Sequence, residues 1–175
     1  MKTLMVSMIL GGALAFAGMA TAQETSSNRV AAKTDWSVFV EDNPTECWAV
    51  SSPKETVNTR DGRVVSVRRG DILLFISFRP GSSVAGEVSF TGGYPFASGS
   101  TVTMSISGNS FELFTEGEWA WPASAADDAR ITTAMKRGAE AKLTARSSRG
   151  TITEDTFSLQ GLTAAFEEAG KRCGG

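Results

Sequence analysis

The sequence predicts a mainly β fold: an antiparallel β-sandwich or partly open barrel, with two short helices near the C-terminus and one disulfide. Three observations carry that expectation. About nine short stretches of apolar and polar residues, many of them alternating, are separated by glycine, proline and asparagine or aspartate turns. Two helical patterns come late, after residues 124 and 161. Cys47 and Cys173 lie near opposite ends of the chain, behind an N-terminus that reads as an export signal.

That N-terminus has three parts. Lys2 is its positive region, residues 4–16 its apolar run, and Ala20-Thr21-Ala22 its small-residue cleavage site. The reading is a Sec-type signal over residues 1–22, cut after Ala22. The apolar run is shorter than the roughly 20 residues a membrane span needs. No later segment is long enough to span, so no transmembrane segment is expected after cleavage. Residues 23–34 are small and polar and are expected to form a disordered leader. A single domain is expected over residues 35–175. The address is periplasmic, secreted or outer-membrane-associated.

Within the domain, residues 36–40 and 47–51 read as two strands around the turn cluster 41–44. Asp61-Gly62 is a hairpin turn signal, and residues 63–68 alternate as a strand after it. Residues 72–78 are almost all apolar and read as a central strand covered on both faces. A short strand is expected at 87–90 and an aromatic loop at 92–96. Val102, Met104 and Ile106 share one face of a strand, which turns at Gly108-Asn109 into residues 111–114. Residues 118–121 make one more strand, ended by Pro122. Ser124 and Asp127 form a capping box for a helix running to about Lys136. Residues 140–146 and 151–159 are the last strands. The final helix spans residues 162–171, with Leu162, Ala165, Phe166 and Ala169 as its apolar stripe.

Composition excludes several chemistries. The chain has no histidine, which removes Ser-His-Asp and Cys-His catalysis and most zinc and copper sites. Without residues 1–22, which hold one lysine, 16 basic residues face 19 acidic ones. A net charge of −3 argues against nucleic acid as a partner. Asp127, Asp128, Glu154, Asp155, Glu167 and Glu168 are the acids considered for acid–base or calcium work, and none lies in a calcium loop. The expectation is a non-enzyme, with no catalytic residue, no metal and no cofactor. No C-x-x-C is present, so Cys47 and Cys173 are expected to form a structural disulfide in an oxidising compartment.

Two groups of side chains remain as possible binding residues. Arg63, Arg68, Arg69 and Arg79, with Arg60, form a local basic excess. It fits an anionic envelope component or, more plainly, a solvated strand face. Tyr94, Phe96, Trp119 and Trp121 sit among glycines and prolines. They fit a platform for a glycan or small ligand. Trp119 and Trp121 are two apart, so both face one side of a strand, and the core side is the favoured expectation.

Several segments together resemble one family. They are Asp35-Trp36-Ser37-Val38-Phe39-Val40, Cys47-Trp48-Ala49-Val50-Ser51, Arg68-Arg69-Gly70-Asp71, Gly92-Gly93-Tyr94-Pro95-Phe96, Phe111-Glu112-Leu113-Phe114 and Glu118-Trp119-Ala120-Trp121-Pro122. Asp155-Thr156-Phe157-Ser158-Leu159, Ala164-Ala165-Phe166 and Lys171-Arg172-Cys173 complete the likeness. With these, the chain resembles the invasion-associated locus B family from about Asp35 to Cys173. The resemblance implies an exported alphaproteobacterial protein, periplasmic or outer-membrane-associated, with a β-rich fold. The family name reflects a link to host-cell invasion in pathogenic members. The resemblance supplies no catalytic residues, and many members belong to free-living bacteria. The implied role is binding an envelope or host-surface component.

Overall fold

Alternation of side chains sets the architecture. In β8 (Thr101–Ile106), Val102, Met104 and Ile106 are fully buried while Thr101, Thr103 and Ser105 are not. Its hairpin partner β9 (Asn109–Glu116) places Leu113 opposite Val102 on the same inner face. The computed structural model describes residues 28–173. Among them, twelve strands form one sheet in which every pairing is antiparallel.

The other strands are β1 (Arg29–Lys33), β2 (Trp36–Asp42), β3 (Thr45–Ser51), β4 (Glu55–Arg60), β5 (Arg63–Val64), β6 (Leu73–Arg79) and β7 (Val84–Thr91). Then come β10 (Trp119–Trp121), β11 (Glu140–Arg146) and β12 (Ile152–Ser158). The helices are α1 (Ala125–Arg137) and α2 (Leu162–Arg172). Spatial order runs β1-β2-β3-β6-β7-β10-β9-β8-β11-β12-β4-β5.

The sheet curls until distant strands meet. Phe90 of β7 and Phe157 of β12 are separated by four strands in the sheet, yet their rings meet edge to face at 6.1 Å. Trp36 at the start of β2 donates its indole N–H to the Ser158 carbonyl at the end of β12, at 3.0 Å. The Asp35 backbone N–H reaches the Gln160 carbonyl nearby. The order of strands still ends at β1 and β5, so the result is a partly open barrel around one core.

Helix α1 begins as the capping box requires. Ser124 accepts from the Asp127 N–H and its hydroxyl donates to the Asp127 carboxylate at 2.7 Å. Strand β10 pairs with β7 only at Trp119↔Thr91 and Ala120↔Phe90. Beyond that short pairing, the Val88 N–H donates to Asp128 Oδ1 of α1 at 2.8 Å. Helix α2 lies on the inner face of β1, β2, β3 and β6, burying Leu162, Ala165 and Ala169. Phe166 meets Phe78 edge to face at 5.0 Å. The helix starts at Gly161, with φ of +89°, where an added side chain would overlap the Lys33 carbonyl oxygen. Only glycine satisfies both constraints. Cys173, just past the helix, is bonded to Cys47 of β3.

Several expectations change. Residues 1–22, read as a signal, lie outside the described residues, as do 23–27 of the leader. The rest of the leader is not disordered: Arg29–Lys33 pairs with β2 as an edge strand. A polar sequence suffices there because Val30 and Ala32 face outward and the ladder with β2 supplies the order. Strand β4 (Glu55–Arg60) joins the sheet although its residues carry little apolar pattern. Residues 65–72 leave the sheet after the two-residue β5, because this stretch crosses towards β12 and Gly93. The β8–β9 turn is Ser107-Gly108, both at positive φ, one residue earlier than the sequence suggests. Strand β6 is central, and Leu73 and Phe75 on its outer face are half-buried.

Candidate functional site

Three loops meet beside the open end of the β4–β12 region and enclose a cleft of about 480 Å³. One is the stretch 65–72, which passes close to Gly93. The Gly70 N–H donates to the Gly93 carbonyl at 2.8 Å. Gly93 has φ of +71°, and a side chain there would meet the Gly70 backbone at 2.6 Å. The second is the loop carrying Tyr94 and Pro95, and the third the turn Ser147-Ser148-Arg149-Gly150.

Arg69 anchors this assembly. Its guanidinium binds both oxygens of Asp155 at 2.8 and 2.6 Å, and its Nε donates to the Gly92 carbonyl. The side chains are 5% and 0% exposed, so this is a buried, bidentate ion pair. Asp155 holds an inward position on β12 between Thr153 and Phe157. A lone carboxylate there would carry a large desolvation cost, which Arg69 offsets. The Arg69 guanidinium also lies 5.0 Å over the Tyr94 ring. Burial raises the Tyr94 hydroxyl above the usual tyrosine range, opposed by its hydrogen bond with Thr153 and by Arg69.

Among the sequence candidates, the structure brings Arg68, Arg69 and Tyr94 to this cleft, with Arg60. Arg149 lines it too; its sequence context is a plain turn, and nothing local marks it. Glu118 is the acid among the lining residues. Arg63 is exposed on β5, away from the cleft lining. Arg79 is paired with Glu87 at 2.6 Å at the far end of β6. Phe96 is a correction: it is buried against Phe90 and Tyr94 and offers no binding surface.

Trp119 and Trp121 correct the sequence expectation in the opposite direction. Ala120 between them is the buried residue. It lies beside Phe90, whose ring, with Phe96 and Phe157, fills the interior at that level. A methyl fits there and an indole does not, so both tryptophans point outward. Their rings stack at 6.5 Å with 21° between planes, and Trp119 sits 5.6 Å from Phe75. Phe114 pairs with Trp121 on the same face and is 56% exposed; Trp119 is 39% exposed. Strand register puts Trp48 and Phe39 farther along this outer face. The cleft that Tyr94 lines includes neither tryptophan, so the expected single aromatic platform is two separate surfaces.

Asp127, Asp128, Glu154 and Glu168, four of the acids considered from the sequence, have local partners. Asp127 accepts from Ser124 and Arg130, and Asp128 from Val88. Glu154 meets Lys142, and Glu168 meets Arg172 and Lys33. Among the described residues, no group of three acids or cysteines is placed to hold a metal ion.

The model of the invasion associated locus B protein family matches residues 36–170. The chain belongs to the invasion associated locus B family. The match starts at Trp36, whose indole donates to the Ser158 carbonyl, and ends inside α2. It therefore covers both surfaces just described. No curated protein and no solved structure matches the chain. Among the described residues, no helix is long and apolar enough to cross a membrane.

Proposed function

We propose that this member of the invasion associated locus B family is a non-enzymatic, exported protein of the cell envelope that binds an envelope or host-surface component through its outer sheet face. The stacked Trp119–Trp121 pair carries this reading. Large aromatic side chains are ordinarily buried or used, and contiguous exposed ones mark interaction surfaces. Here three strands contribute Phe75, Trp119, Trp121 and Phe114 to one face, opposite the side that holds the core. The absence of histidine from the sequence and the structural roles of the acids support a binding role over a catalytic one. The signal-like N-terminus and the disulfide support export.

The test is recovery of partners from envelope fractions with the mature protein and with Trp119→Ala. Proteins, lipids or glycans enriched by the mature protein and lost with the variant are the expected outcome. No enrichment above background, or enrichment unchanged by the variant, overturns the proposal.

The near-parallel indoles favour one particular second reading, a glycan stacked on the platform. Indole faces suit the apolar faces of sugar rings, and Thr101 and Glu116, adjacent to Phe114 and Trp119 in the pairing, supply polar groups beside them. Saturable tryptophan fluorescence changes with envelope oligosaccharides would support it. Flat titrations would remove it and leave the first reading standing.

A further inference from the structure

The arginine-lined cleft has an imbalance of charge that the fold does not resolve. Arg69 and Asp155 cancel each other in their buried pair. Arg60 donates to Thr151 Oγ1 at 2.7 Å, a neutral acceptor. Arg68 and Arg149 have no ion pair or hydrogen bond from their side chains among the described residues. Against these three cations the lining holds one carboxylate, Glu118. The cleft therefore carries an excess charge of about +2 in a chain whose net charge is −2. Three chain segments supply the cations: the end of β4, the stretch 65–72 and the turn 147–150. Three arginines from separate segments of one acidic chain gather around a single carboxylate only at a cost in mutual repulsion, which an anion reduces.

We propose that this cleft binds a phosphomonoester. A phosphomonoester dianion matches the +2 excess, whereas a monocarboxylate leaves it half neutralised. Guanidinium forks suit phosphoryl oxygens, giving parallel charge-assisted hydrogen bonds. The Ser148 hydroxyl at the rim adds a neutral donor. Tyr94 forms a wall held by Arg69 and Phe96, so the cleft has a rigid, partly apolar side for the rest of the ligand. Buried Arg69 serves as a positioning residue: it fixes residues 65–72, and with them Arg68, against β12. The proposal is independent of the outer-face reading, because the two surfaces share no residue.

The phosphomonoester could belong to a soluble molecule or to a lipid headgroup, and the experiment separates these. The mature protein is titrated with glycerol phosphate by calorimetry, and sedimented with vesicles of phosphatidylcholine with and without phosphatidic acid. Binding of glycerol phosphate with half-saturation near or below about 1 mM at low salt assigns a soluble ligand. Sedimentation only with phosphatidic acid vesicles assigns a headgroup. In either arm, Arg68→Gln and Arg149→Gln each weaken binding about tenfold, in line with loss of one charged hydrogen-bonding group. Arg137→Gln, on the last turn of α1 and outside the cleft, leaves binding unchanged. Both cleft arginines are exposed and unpaired, so their variants are expected to melt with the parent. Absence of binding in both arms overturns the proposal, and so does binding that survives both cleft variants or falls equally with Arg137→Gln.

Discussion

Asp128 shows how one side chain holds two elements together under opposing forces. Its carboxylate accepts the Val88 N–H that the short strand β10 leaves unpaired. Burial raises its titration above the usual carboxylate value of 3.8, with the Val88 hydrogen bond acting the other way and Glu87 and Asp127 adding repulsion. A raised folded-state value means that the native state holds the proton more tightly than the unfolded chain. Stability from this group is therefore greatest at low pH and falls as pH rises from about 3.8 through the folded-state value. Asp128→Asn keeps an oxygen acceptor for Val88 and removes the titration. The expected result is a melting temperature that gains on the parent between pH 3.5 and pH 7. A relative loss over that range would overturn the argument. Asp35 and Glu168 have the opposite sign. Lys54 holds Asp35 below the usual range and Arg172 does the same for Glu168, so their contributions fade as pH falls below the usual carboxylate values.

At the scale of elements, the fold depends on straps across the barrel as much as on neighbouring strands. Residues 65–72 have almost no ladder of their own and are fixed by Arg69 on Asp155 and by Gly70 on Gly93. Asp155→Ala leaves the guanidinium buried without a counter-charge, which costs about 3–5 kcal/mol. Urea unfolding should register that loss, and a change under about 1 kcal/mol would mean that the strap is not held as described. The same variant should loosen Arg68 and blunt the cleft. Helix α2 is strapped in three ways: Phe166 on Phe78, Glu168 on Lys33 of β1, and Cys173 on Cys47 of β3. The ordered edge strand β1 thus has the last helix beneath it as well as β2 beside it.

For the whole molecule, the disulfide joins positions 126 residues apart and so ties the third strand to the end of the last helix. In the chain-entropy model a loop of that length contributes roughly 5 kcal/mol by restricting the unfolded chain. That is comparable with the lower end of the 5–15 kcal/mol typical of whole domains. Cys47→Ala and Cys173→Ala are expected to destabilise about equally, because either change opens the same bond. Denaturant midpoints of the two variants that differ widely would contradict this. The two surfaces of the molecule also separate cleanly. The inner face holds the core and α2, the outer face carries the tryptophans, and the arginine cleft opens where loops cross the β4–β12 region.

Local patterns in the sequence were enough to identify the β class, the capped helix after Ser124, the apolar stripe of α2 and the two cysteines. Each depends on residues near one another along the chain, or on a pair with no competing partner. The alternation of Val102, Met104 and Ile106 is legible because one face is wholly apolar and the other is not. Trp119-Ala120-Trp121 is not legible in that way. Either parity satisfies a three-residue strand, and the large rings argue locally for the inside. Only the tertiary structure decided it, because Phe90, Phe96 and Phe157 occupy that volume from distant segments. The arginines follow the same rule. Proximity in sequence grouped Arg63 and Arg79 with Arg68 and Arg69, but a strand and a crossing loop carry them apart. Arg149, about 80 residues further on, arrives beside Arg68 because β11 and β12 hairpin back across the barrel. Burial and charge pairing act through space, so these residues acquire their surroundings only when the sheet curls.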